Sequence, residues 1–162
     1  MSEWDQTVRE WLIDENHCVA GALANGDTGQ VYAASGLDED GWKLMWMDDH
    51  EVQVCLEDGS EVTVKMNEGQ SIKSVISGER PDTGLYIGGQ KFRVVRTQLE
   101  FDYNDQNYDM VLCAKPKAGL VMVKTHNGSI VLAMYTEEKG QSQGNTKGAA
   151  LAFAEFLSAE GY

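Results

Sequence analysis

Five short apolar runs separated by turn residues crowd into residues 84–135, and they restrict this chain more than any other feature. GLYIGGQKFRVVR (84–96), YDMVLCAK (108–115), GLVMVKT (119–125) and SIVLAMY (129–135) are each strand-length. Gly88-Gly89 bends the first stretch into two strands, and Asn127-Gly128 marks a tight hairpin turn. Parallel neighbours would need long crossovers, so consecutive strands on tight turns predict an antiparallel sheet.

The remaining elements frame that sheet. Trp4, Val8, Trp11 and Leu12 are spaced for one face of an opening helix, and Ser2 with Asp5 forms a capping box ahead of it. HCVAGALA (17–24) and QVYAAS (30–35) read as strands around NGDTG. The acidic, aromatic segment DEDGWKLMWMDDHE (38–51) reads as a loop with one helical turn. VQVCLEDGSEVTVKM (52–66) alternates on both sides of EDGS and predicts a β-hairpin, Val52, Val54 and Leu56 answering Val62, Val64 and Met66. NEGQSIKSVIS (67–77) reads as a short helix, and the alanine-rich TKGAALAFAEFLSAEGY (146–162) as a closing one that can lie close on a sheet. Helices at both ends of an antiparallel sheet imply an α+β sandwich, and with no repeat or linker residues 1–162 read as a single domain.

Charge narrows the partners. Thirteen basic residues stand against 26 acidic ones, a net charge of −13, which disfavours nucleic acid and anionic membranes as main ligands. The cations are unevenly spread: Lys91, Arg93 and Arg96 fall within six residues, and Lys115 and Lys117 follow one strand later. Strand alternation puts Lys91, Arg93 and Val95 on one face, and Phe92, Val94 and Arg96 on the other. Cys18, Cys55 and Cys113 are odd in number and far apart, the usage of reduced thiols in a cytosolic protein. No membrane span or secretory signal is legible.

Catalytic patterns do not assemble. The run before the last helix has the strand–loop–helix order of a phosphate loop, but Gly144-Asn145-Thr146-Lys147 breaks the Walker spacing; Asn145 reads instead as the helix cap. LDEDG (37–41) lacks the alternating acids and distal glutamate of a calcium loop. His17, His50 and His126 are scattered, so no metal set or cofactor is implied. The residues by themselves describe an acidic α+β domain without a visible active site, and the chain is not expected to be an enzyme.

The ends and the middle together resemble the profilin family. SEWDQTVREWL is similar to its first helix, GLYIGGQKFRVVR to its central strand pair, GQVYAAS to the strand that carries an aromatic after valine, and AEFLSAEGY to its last helix. The acidic loop and extra hairpin at 38–66, and YTEEKGQSQGN before the last helix, are similar to the profilins of apicomplexan parasites. The resemblance implies a central antiparallel sheet with the N- and C-terminal helices on one face, short helices on the other, and an inserted hairpin.

It also implies two partner surfaces and no catalysis. Trp4, Tyr32, Phe156, Leu157 and Tyr162 would form a groove for proline-rich segments of formin-like proteins, with Thr7 where many profilins carry a groove tyrosine. Lys91, Arg93, Val94, Val95, Arg96 and Lys115 would form a face for monomeric actin, with Cys113 where animal profilins often carry arginine. The hairpin is expected to project beside that face, and Trp11 to be more buried than Trp4. Phosphoinositide binding is expected to be weak at best, nucleic acid is not a partner, and the chain is expected to act as a cytoplasmic, cytoskeleton-associated monomer. Were it released, the resemblance implies recognition by a host innate receptor. The reading from another class is a sensor-like module holding a small molecule between sheet and helices.

Overall fold

The computed structural model describes residues 3–80 and 84–162. An opening helix α1 (Glu3–Val8) widens into a π turn (Arg9–Ile13), then come β1 (Ala20–Asn25), β2 (Val31–Gly36) and α2 (Gly41–Met45). β3 (His50–Cys55) and β4 (Glu61–Met66) lead to α3 (Glu68–Ile76). β5 (Leu85–Ile87), β6 (Gln90–Tyr103), β7 (Gln106–Lys115), β8 (Ala118–Lys124) and β9 (Ser129–Thr136) precede α4 (Gln143–Ala159).

Seven strands form one antiparallel sheet in the order β2-β1-β9-β8-β7-β6-β5, and β3 and β4 pair only with each other. Alternation along the central strands divides the core into two layers. Val121, Val123, Val131 and Ala133 point toward the terminal helices, where Val8, Leu12, Phe153, Ala154 and Leu157 cover them. Leu120, Met122, Ile130 and Leu132 point the opposite way, toward Met45 of α2 and Ile72, Val75 and Ile76 of α3. The α+β arrangement expected from the strand pattern is the one found. Gly21 lets the first helix come close: a Cβ there would lie 2.5 Å from Leu12 Cδ1.

Local expectations are corrected at several points. The expected capping box involves Ser2, which lies outside the described residues; its partner Asp5 is buried and accepts a 2.9 Å hydrogen bond from the Ala34 amide. Ser142, not Asn145, caps α4: its side chain accepts from the Asn145 amide, which belongs to the first turn. The 38–51 segment carries the expected short helix, α2, and it is packed: Met45 is fully buried and Trp42 and Trp46 lie on the α3-side core. The hairpin register pairs His50 with Met66, Val52 with Val64 and Val54 with Val62, leaving Leu56 outside the ladder and exposed.

Candidate functional site

The first surface lies where α1 and α4 meet. Trp4 contacts Tyr162 edge to face, with ring centroids 4.8 Å apart, and Tyr32 likewise at 6.4 Å. A β-bulge presents Tyr32. Leu23 pairs with Ala33 and Ala24 with Val31, so Tyr32 is the extra residue, turned out of a strand whose neighbours are buried. The far end is tied down: Thr125 Oγ1 donates a 2.8 Å hydrogen bond to the Tyr162 carbonyl, and the Tyr162 amide donates to the Leu157 carbonyl at 2.8 Å. Glu3, Trp4, Thr7, Phe156, Glu160 and Tyr162 line a cleft of about 260 Å³.

Of the five residues expected in this groove, four sit at its surface. Leu157 is the correction, being fully buried in the layer beneath, so it supports the groove without lining it. Trp11 is half-buried, as Trp4 is, and stacks on Phe153 and Phe156 at 5.8 and 5.0 Å. Burial pushes the Tyr32 hydroxyl above its usual range, although Ser129 offsets part of the rise, so at neutral pH it remains a hydrogen-bond donor.

The second surface runs along β6. Val94 pairs with Cys113 and Arg96 with Leu112, leaving Val95 as the extra residue of another bulge, exposed at 45%. Strict alternation therefore fails here. Arg96 crosses to the face that Arg93 shares with Ala114, while Val94 stays on the inner side against the α3-side core. Lys115 is half-buried, with Nζ 5.5 Å from the Phe92 ring centroid and a hydrogen bond to Gln90. Cys113 is buried in the α3-side layer, so that position does not belong to the basic strip at all. Arg80, which the sequence pattern did not single out, lines a shallow cleft of about 400 Å³ with Lys91 and Arg93.

A buried carboxylate joins this strip to the hairpin. Glu68, 1% exposed at the start of α3, accepts from the amides of Met47, Gly88 and Gly89 at 3.0, 2.7 and 2.7 Å. Gly88 and Gly89 have φ of 59° and 78°, and a Cβ on Gly88 would lie 2.1 Å from the Leu44 carbonyl oxygen, so the turn requires glycine. His50, the first residue of β3, places Nε2 3.9 Å from Glu68 Oε2 and its ring 6.3 Å from that of Tyr86. Tyr86 in turn pairs with Lys91. The sequence carried no signal for this junction, since a glutamate in an acidic segment is ordinarily solvated.

The profilin family model matches residues 2–162. The chain belongs to the profilin family. It is 36% identical over 162 residues to the profilin of Plasmodium falciparum (isolate 3D7), covering 96% of this chain and 94% of that one. Identity to the Plasmodium berghei profilin is 32% over 160 residues, with 95% and 92% covered. Among solved structures it is similar to Acanthamoeba castellanii profilin IB, with a TM-score of 0.64, 15% identity and coverage of 99% and 100%. It is also similar to mouse profilin IIa in complex with a double repeat from the FH1 domain of mDia1, with a TM-score of 0.62, 16% identity and the same coverage. At these identities the solved profilins bear on the fold, and the Plasmodium profilins bear on the family.

Proposed function

We propose that this profilin is a non-catalytic adaptor that binds proline-rich segments in the Trp4–Tyr32–Tyr162 groove and monomeric actin along β6, and so regulates actin polymerisation. The observation that carries the reading is the aromatic groove. A polyproline II segment is extended, has no internal hydrogen bonds and loses little entropy on docking, and flat rings with polar edges are its natural platform. Trp4, Tyr32, Phe156 and Tyr162 offer such rings, while the Tyr32 hydroxyl can donate to a peptide carbonyl. The structure of mouse profilin IIa in complex with a double repeat from the FH1 domain of mDia1 supports the same ligand class here.

For actin, an acidic protein, a basic strip on a background of −13 favours encounter in one orientation. Arg93 and Arg96 share a face of that strip, and the root of the hairpin lies beside Tyr86 and Lys91, so the hairpin extends the same surface. The strip is too small and the background too acidic for firm binding to phosphoinositides, because each basic residue at an anionic surface contributes only about 1 kcal/mol. A cleft of about 860 Å³ opens between Leu44 of α2 and the ends of β8 and β9, but charged side chains, among them Asp38, Glu39, Lys115, Lys117 and Glu137, line much of it, and an apolar small-molecule pocket is usually lined mainly by hydrophobic groups, which does not favour the sensor reading.

The test is retention on immobilised polyproline followed by capture of purified monomeric actin by the retained protein. Retention with capture is expected. A folded protein that passes through the column and leaves actin assembly unchanged would overturn both assignments.

A further inference from the structure

The groove continues beyond its aromatic centre, and its rim carries one sign of charge. Phe156 lines the Trp4–Tyr162 cleft and also stacks on Trp11, which lines a second cleft of about 450 Å³ between the first helix and α4. The first cleft holds Glu3 and Glu160, and the second holds Glu10 and Glu15. Among the described residues no lysine or arginine lines either. The nearest cation in sequence, Arg9, is drawn elsewhere: its Nε lies 3.4 Å from Asp14 Oδ1, and Nη1 donates to the Gly36 carbonyl. Among the described residues only His17 pairs with an acid of the rim, its Nε2 3.4 Å from Glu15. Glu3, Glu10 and Glu160 make no ion pair among the described residues.

From this arrangement we infer that the groove selects proline-rich segments with arginine flanking the proline run. The inference rests on the proline-binding reading above and specifies its ligand. Prolines docked on the aromatic centre leave the flanking residues over the acid-bearing ends of the seam. Arginine suits those ends better than lysine, because its planar guanidinium can grip a carboxylate with two hydrogen bonds and stack on an indole such as Trp11. These pairs are solvent-exposed, so each raises affinity by no more than about fivefold, and salt weakens them.

The experiment is titration, followed by tryptophan fluorescence, of three peptides: a proline run alone, the same run with arginine at both ends, and the same run with glutamate at both ends. The arginine-flanked peptide is expected to bind roughly three- to tenfold more tightly than the plain run at low salt, and the glutamate-flanked one more weakly. High salt should shrink both differences. Glu3→Gln with Glu160→Gln, and Glu10→Gln with Glu15→Gln, should each remove about half of the arginine gain. Neutralising two acids outside the groove, Asp102→Asn with Asp105→Asn, should leave it, which separates local recognition from the overall charge. Equal affinity for the plain and arginine-flanked peptides, or a gain that survives the groove substitutions, would overturn the inference while leaving proline binding in place. Failure of all three peptides to bind would overturn the groove assignment itself.

Discussion

Trp4 and Tyr162 meet edge to face, their ring centroids 4.8 Å apart and their planes at 87°. Residues at opposite ends of the chain thus share one surface that neither terminal segment could build alone. The contact brings aromatic area together outside the core: Tyr162 remains 46% exposed and Tyr32 40% exposed. Rings held in fixed positions but left open to solvent are suited to a ligand, and their removal should act on binding more than on folding.

Trp4→Ala and Tyr162→Ala are each expected to weaken proline-peptide binding by about 2 kcal/mol or more, roughly thirtyfold, with a smaller loss of stability. Tyr32→Ala should behave alike. Trp11→Ala should cost more stability, because that ring stacks on the buried Phe153. Peptide titration beside a thermal melt of each variant separates these outcomes. Unaltered affinity in both terminal variants would leave the aromatic pair as packing alone.

Arg93 and Arg96 lie on the same face because of the bulge at Val95, so reversing both should act in one direction. Arg93→Glu with Arg96→Glu is expected to slow association with monomeric actin, most strongly at low salt, since rim charges work chiefly through encounter. Lys115→Glu should do less, because that side chain is held against Phe92 and Gln90. Stopped-flow association rates at two ionic strengths would show it, and a double reversal that leaves the rate unchanged would move the actin face elsewhere.

Among the described residues the β3–β4 hairpin pairs with no other strand, and most of its side chains are exposed. Replacing residues 51–65 with a short Gly-Ser link should preserve the fold and the proline site while weakening actin binding. Met66 must stay, being 4% exposed at the entry to α3. Loss of proline binding in the shortened protein would show instead that the hairpin supports the core.

Glu68 makes a prediction in pH. Burial pushes its carboxyl above the ordinary 4.5, and the amides of Gly89, Gly88 and Met47, with His50 nearby, hold back part of that rise. A raised folded-state pKa means that the folded protein binds the proton more tightly than the unfolded chain does. The group's contribution to stability is therefore complete below 4.5 and declines as pH rises through the raised value. Glu68→Gln cannot titrate and turns an NH₂ group toward amide donors, costing about 1–3 kcal/mol. The gap between wild type and variant, read from denaturant melts, should be widest in acid and narrow toward neutral pH. A gap that widens with pH would reverse this account.

The sheet and the ends of this chain are legible in its sequence for local reasons. Asn127-Gly128 and Gly88-Gly89 can make only a few turns, alternation at Val52, Val54, Val62 and Val64 marks a hairpin, and the spacing from Trp4 to Leu12 marks a helical face. These signals, together with the motif GGQKFRVVR, were enough for the fold and the family. What escaped local reading depended on register and packing. A single inserted residue reverses every later side chain in a strand, so the bulges that turn out Tyr32 and Val95, and bring Arg96 beside Arg93, appear only when neighbouring strands are paired. Leu157 and Cys113 look eligible for a surface until the layers close over them. Glu68 resembles its solvated neighbours until three amides from two distant loops converge on it. Local propensity set the elements of this protein, and long-range pairing decided which side chains reach its surface.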